Sequence, residues 1–162
     1  MSDKSETASC THRGTTKATR YATLKGDYGT SDFVLKRGGR LHEVTMAYEC
    51  WGQLSLNYDN AILVFTGLSA SAHAASSVDN PDPGWWEFMI GPGKAIDTRR
   101  FFVICVNSLG GCLGSTGPES FNPATGRSYG SDFPDLTIED IAKAGHHLLN
   151  ELDIDHLHAV IG

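Results

Sequence analysis

The sequence has no C-x-x-C pair, no apolar stretch near the ~18 residues a membrane span needs, and few basic side chains. Thirteen Lys and Arg face nineteen Asp and Glu, and the imbalance is uneven: residues 1–40 carry a local +4, which leaves −10 for the remainder. So acidic a body argues against nucleic acid as a partner, because neutralising phosphates takes clustered Lys and Arg. Residues 1–20 contain no Val, Ile, Leu, Phe, Trp or Tyr. They therefore supply neither the apolar core of a secretory signal nor the apolar face of a transit peptide. With eight Ser or Thr among them, residues 1–20 are expected to form a disordered tail. A cytoplasmic protein with reduced thiols is expected, with no membrane partner. Cys10, Cys50, Cys105 and Cys112 show no zinc-ligand spacing, and the seven histidines complete none, so no metal site is expected.

The apolar residues that are present come in short runs. Ala61–Phe65 and Phe101–Val106 are continuous, β-branched and brief, as strands covered on both faces are; Leu157–Ile161 is a third such run. Phe33–Leu35 and Leu41–Tyr48 flank Gly38-Gly39 and predict an antiparallel hairpin. Ile138, Ile141, Leu148, Leu149 and Leu152 recur at helical spacing behind a capping Thr137, with Glu139 and Asp140 in the first turn. A shorter helix is expected at Trp85–Ile90, before Gly91-Pro92-Gly93. Hairpin, strand, helix, strand, helix, strand is an α/β plan: a mostly parallel sheet with an antiparallel opening hairpin, in one domain over 21–162.

Glycine is plentiful, at 18 of 162 residues, 11% against ~7% on average. Six glycines lie between Gly110 and Gly130, in the second of two long connections, 67–100 and 107–136. Both leave the carboxyl ends of buried strands, where open α/β sheets bind ligands. The glycine run is no phosphate loop, since no Lys occurs between Lys94 and Lys143. No base or cation in the sequence around Cys112 favours a thiolate there. The small-residue turn Thr66-Gly67-Leu68-Ser69-Ala70 suits a backbone donor to developing negative charge.

Three joined segments carry a resemblance. They are Gly84-Trp85-Trp86 through Ile90-Gly91-Pro92-Gly93-Lys94, then Phe101–Asn107 running into Gly110–Pro118, then Asn122–Gly126 continuing through Tyr129–Pro134 and Thr137–Asp140. Over 21–162 the sequence resembles the front part of the homoserine O-acetyltransferase family, α/β-hydrolase-fold enzymes that acylate homoserine or serine.

That resemblance implies an order of strands: the third at Ala61–Phe65, the fourth at Phe101–Val106, the fifth at Leu157–Ile161. The fifth would run into a G-x-S-x-G nucleophile elbow whose first Gly is Gly162. The catalytic Ser is then expected two residues past Gly162, and the Asp and His of the triad later still, so 1–162 by itself is expected to be inactive. The Leu68 amide corresponds to the oxyanion-hole donor. Ser69, Trp85, Trp86, Asn107, Gly110, Gly111, Ser115 and Thr116 are implied as pocket residues. Where the family usually reads His-Ala-Leu-Thr-Gly this sequence reads Thr66-Gly67-Leu68-Ser69-Ala70. With Ser71–Ser77, that departure leans toward the branch that transfers succinyl to serine. The resemblance implies small-molecule substrates only, acyl-CoA and homoserine or serine, with no cofactor, a place in methionine or cysteine biosynthesis, and a homodimer for full-length members alone. The alternatives are a non-catalytic ligand-binding α/β module and a hydrolase of the same fold.

Overall fold

The computed structural model describes residues 14–27, 30–67 and 69–162. In chain order the strands are β1 (Arg20–Thr23), β2 (Asp32–Val34), β3 (Arg40–His42), β4 (Thr45–Trp51), β5 (Ala61–Phe65), β6 (Ile90–Gly91) and β7 (Ile96–Asp97). They continue with β8 (Phe102–Val106), β9 (Phe121–Asn122), β10 (Arg127–Ser128) and β11 (Ala159–Ile161), with the helix α1 at Ile138–Glu151. Five strands build the central sheet in the order β1-β4-β8-β5-β11. β1 and β8 both pair antiparallel to β4, whereas β8 and β11 both pair parallel to β5.

Burial of both faces explains the continuous apolar runs. Ile62, Val64, Val103 and Cys105 point to one side with Trp51; Ala61, Leu63, Ile104 and Val106 point to the other with Met46. On the second side the cover is α1, through Ala144, Leu148 and Leu149, together with Phe33 and Leu41 of the β2–β3 hairpin. On the first it is the long connection after β5, through Ala74, Ala75, Ile90 and Ile96. A loop thus occupies the layer that a helix fills in a regular βαβ unit.

The start of α1 is fixed as the sequence predicts. Thr137 Oγ1 accepts from the Asp140 amide while the Asp140 carboxylate accepts from the Thr137 amide, a reciprocal cap. The same carboxylate accepts from the Lys36 amide at 2.8 Å, tying the hairpin to the helix. Gly145, facing the sheet, lets α1 approach so closely that a Cβ there would lie 2.4 Å from Phe65 Cζ.

Four expectations change. Trp85–Met89 forms turns, not a helix: Trp85 N and Trp86 N donate back to His73 O and Ala74 O, and Met89 N closes an i−3 turn on Trp86 O at 2.9 Å. Leu41–Tyr48 is two strands in different sheets, broken at Glu43, whose φ is 51°. The sheet opens on β1·β4, not on the Gly38-Gly39 hairpin, which is a separate two-stranded unit. The tail expected over 1–20 is ordered in its described part, 14–20: Thr16 and Thr19 hydroxyls donate to Glu49 at 2.7 and 2.8 Å, and β1 begins at Arg20. Residues 1–13 lie outside the described residues.

Candidate functional site

The parallel strands end side by side, and their connections leave from one edge. Thr66, following β5, and Ser108, two residues past β8, bring their hydroxyls within 3.4 Å of each other. Around them lies a cavity of about 400 Å³, lined from the first connection by Thr66, Gly67, Ser69 and Ala70 and from the second by Asn107–Ser108, Gly110–Leu113 and Pro118–Glu119. A second cavity, of about 360 Å³, is lined by Val64, Phe65, Gly67, Trp85, Trp86, Ile161 and Gly162. Gly67 borders both, so the carboxyl ends of β5, β8 and β11 share one mouth region.

The glycine-rich connection has a defined shape because it continues the ladder of β4 beyond the end of β8. Asn107 N donates to Ala47 O at 2.8 Å and Thr116 N to Thr45 O at 2.8 Å. Between them, Ser115 Oγ accepts from Ala47 N at 3.0 Å and donates to Asn107 O at 2.7 Å; Thr116 Oγ1 accepts from Thr45 N at 2.9 Å. Two side chains thus stand in for a strand. Folding back so tightly requires Gly117, where a Cβ would lie 2.1 Å from Gly111 O.

Asn107 sits at the hinge of this arrangement and is 2% exposed. Its Nδ2 donates to Ala70 O at 3.3 Å, which joins the two connections and fixes which end of the amide is which. Its Oδ1 is buried and has no hydrogen-bond partner among the described residues. Orphaned buried acceptors are uncommon, because desolvation goes uncompensated.

The indole pair stands in the second cavity. Trp85 and Trp86 stack at 5.4 Å between ring centroids, and Trp85 Nε1 donates to Ser71 O at 2.9 Å. Their turn is clamped by Glu87, whose carboxylate accepts from the Ser76 amide at 2.6 Å, the Gly84 amide at 3.2 Å and Lys94 Nζ at 2.9 Å. The Lys94 hydrogen bond first, and the backbone donors after it, hold the Glu87 carboxyl at a pKa of about 2.

Of the residues singled out from sequence, Ser69, Asn107, Gly110 and Gly111 line the first cavity, and Trp85 and Trp86 the second. Ser115 and Thr116 line neither and face β4. Leu68 lies outside the described residues. The sequence names Thr66 only as the start of a turn and does not single out Ser108 or Glu119, yet the shared edge of β5 and β8 brings all three into the cavity. Their only sequence signal is position just past a buried strand or inside the glycine run.

No family model matches the sequence. Over 126 residues, 78% of the chain, it is 64% identical to a serine O-succinyltransferase of Litchfieldella anticariensis. Over 132 residues it is 58% identical to a serine O-succinyltransferase of Xanthomonas euvesicatoria pv. vesicatoria. The fold superposes on the homoserine O-acetyltransferase of Bacillus anthracis with a TM-score of 0.76 and 37% identity, covering 88% of this chain and 38% of that one. The chain corresponds to the N-terminal part of the homoserine and serine O-acyltransferases. Its sheet is that of an α/β-hydrolase-fold protein. The chain spans about a third of the length of the acyltransferases it matches by sequence. The fold of this chain also superposes on esterase E22, with a TM-score of 0.79 and 39% identity over 89% of this chain and 40% of that one. Among the described residues, no helix is long and apolar enough to cross a membrane.

Proposed function

We propose that the chain forms the front part of an amino-acid O-acyltransferase that moves an acyl group, succinyl by preference, from acyl-CoA to the hydroxyl of serine or homoserine. The single observation that carries this reading is the convergence at Gly67 of two cavities, one bordered by Gly162 after β11 and the other by the glycine-rich connection after β8. Relatives named serine O-succinyltransferase at 64% and 58% identity support the choice of acyl group and acceptor.

In this reading the serine expected past Gly162 attacks the thioester carbonyl, forming a C–O bond as the C–S bond breaks and the CoA thiol leaves with a proton. The acceptor hydroxyl then attacks the acyl ester, and the serine is restored. The Leu68 amide is the proposed donor to the oxyanion, and Ser69, Asn107, Gly110 and Gly111 are the proposed pocket wall. Trp85 and Trp86 shield the second cavity, so that transfer outruns hydrolysis. Ser115 and Thr116 act one step back, by holding the wall on β4. The reaction needs no cofactor from these residues.

The test is a graft. Residues 21–162 replace the matching segment of the Litchfieldella anticariensis enzyme, and products from succinyl-CoA and L-serine are identified by mass spectrometry. O-succinylserine is the expected product, and purified 1–162 alone is expected to yield none. The fold likeness to esterase E22 favours one competing reading, hydrolysis. A folded graft that releases CoA and free succinate without O-acylserine would establish that reading and overturn ours.

A further inference from the structure

One ring nitrogen of His73 stands between partners that make opposite demands on it. Nδ1 lies 2.9 Å from Glu49 Oε2, while Glu49 Oε1 accepts the Thr16 and Thr19 hydroxyls at 2.7 and 2.8 Å. A carboxylate that accepts on both oxygens requires the proton on Nδ1. Nε2 lies 3.0 Å from the carbonyl oxygen of Asp82 and 3.1 Å from Nδ2 of Asn80. Asp82 O can only accept, so it needs a proton on Nε2. Asn80 Nδ2 can only donate, so it needs a free lone pair there. The Asn80 amide is oriented by its other end, where Oδ1 accepts from the Asp82 amide at 3.4 Å. One protonation state cannot satisfy both partners: the neutral ring suits Asn80, and the imidazolium suits Asp82.

Solvent reaches this corner from one side. The His73 side chain is 11% exposed, and a cavity of about 620 Å³ lined by Thr15–Lys17 and Asp79–Asp82 opens next to its two alternative partners. Among the described residues, the charged groups around the ring are Glu49 from β4, Asp79 and Asp82 from the turn, and Lys17 from the N-terminal segment. Cys105, in register with Glu49 on β8, is kept a thiol by burial, and Glu87 in the next turn has a pKa of about 2. Of these side-chain types, only an imidazole ordinarily changes charge between pH 5 and 8.

The same residue holds the indole wall. His73 O accepts from Trp85 N at 3.4 Å, and His73 N donates to Ser71 Oγ at 3.3 Å. Ser71 O in turn accepts from Trp85 Nε1 at 2.9 Å, beside the second cavity.

We infer that His73 is a protonation-dependent latch that positions the Trp85 indole at the second cavity, its ring holding Asn80 when neutral and the Asp82 carbonyl when protonated. The proton comes from solvent and adds to the Nε2 lone pair; the Asn80 hydrogen bond is lost as the one to Asp82 O forms. His73 is thus a positioning residue, whether the site transfers or hydrolyses an acyl group.

The measurement is NMR of the 162-residue chain between pH 8 and pH 5, following the His73 ring nitrogens and the Trp85 indole N–H. Nδ1 is expected to stay protonated throughout, and Nε2 to gain its proton as pH falls. The Trp85 signal is expected to move with the same midpoint while the amides of α1 stay in place, which separates the latch from unfolding. N80A removes the partner of the neutral ring and is expected to raise the midpoint by about half a pH unit. E49Q removes the charge that favours the imidazolium and is expected to lower it by about one unit. H73Q keeps a side-chain donor that does not titrate, and is expected to leave a folded chain whose Trp85 signal no longer responds to pH. A Trp85 response that persists in H73Q, or a Trp85 signal indifferent to the state of the ring, would overturn the inference. So would a ring in one protonation state across the range, or midpoints that N80A and E49Q leave unmoved.

Discussion

Glu49 Oε2 lies 2.9 Å from Nδ1 of His73, and both side chains are withdrawn from solvent. Glu49 belongs to β4; His73 belongs to the connection after β5 whose start lines the first cavity. The other ring nitrogen of His73 is 3.0 Å from Asp82 O, and Glu49 Oε1 takes the Thr16 and Thr19 hydroxyls. One buried pair therefore joins the N-terminal segment, the sheet and the loop that shapes the site. His73 serves the fold here, as a tie between layers.

Removing one partner of such a pair strands the other in the interior. H73A is expected to destabilise the chain by about 3–5 kcal/mol, and E49Q by less, because the amide retains shape and an acceptor. Urea unfolding of the two single variants and the double variant gives the coupling directly. Strict additivity would show that the contact contributes nothing as a pair.

Gly145 sets how close α1 comes to β5. G145A gains ~1 kcal/mol of helix propensity but drives a methyl toward Phe65, an overpacking that costs about 1–3 kcal/mol. Packing outweighs propensity at this position, so the thermal midpoint is expected to fall. Because Phe65 lines the second cavity, the fluorescence of Trp85 and Trp86 is expected to change with it. A raised midpoint would show that Phe65 yields without cost.

The Glu87 clamp makes part of the stability depend on pH. Its folded pKa, about 2, lies below the ordinary 4.5, with the Lys94 hydrogen bond as the main cause. A depressed carboxyl pKa stabilises the fold fully above the unfolded value, and that contribution is lost as pH falls from 4.5 toward 2. The gap in urea midpoint between the natural chain and E87Q is therefore expected to be constant at neutral pH and to close across that window. A gap unchanged down to pH 2 would contradict the clamp.

Thiol reactivity should divide by burial. Cys50 is pushed up to about 12 and Cys105 higher still, both chiefly by burial, whereas Cys112 is exposed at the cavity rim. Since the thiolate is the reacting form, a maleimide is expected to label Cys112 alone in a folded C10S chain. Mass spectrometry of the labelled peptides checks this, and labelling of Cys50 or Cys105 in the folded chain would contradict it.

Much of the architecture was legible because local chemistry decided it. Ala61–Phe65 and Phe102–Val106 read as doubly covered strands, since every residue is apolar, and α1 began where Thr137 and Asp140 can cap each other. β1 was illegible: Arg20-Tyr21-Ala22-Thr23 is short and largely exposed, and is a strand only because β4 offers an edge. Trp85–Met89 carried helix-like composition, yet the carbonyl of Ala74, twelve residues before Trp86 in sequence, claimed the Trp86 amide. The resemblance implied Ser115 and Thr116 as pocket residues, but backbone groups of β4 and Asn107 drew them inward.

By itself the sequence determined the class of fold, the edge that carries the candidate site and the family resemblance, because burial periodicity, glycine placement and joined motifs are all local in the chain. Only the tertiary structure decided which polar atoms go unpaired. Asn107 Nδ2 finds Ala70 O while its Oδ1 finds no partner among the described residues, and Ala70 comes within reach only because β5 and β8 pair side by side. Hydrogen-bond satisfaction is a property of the assembled neighbourhood, and no window of sequence contains it.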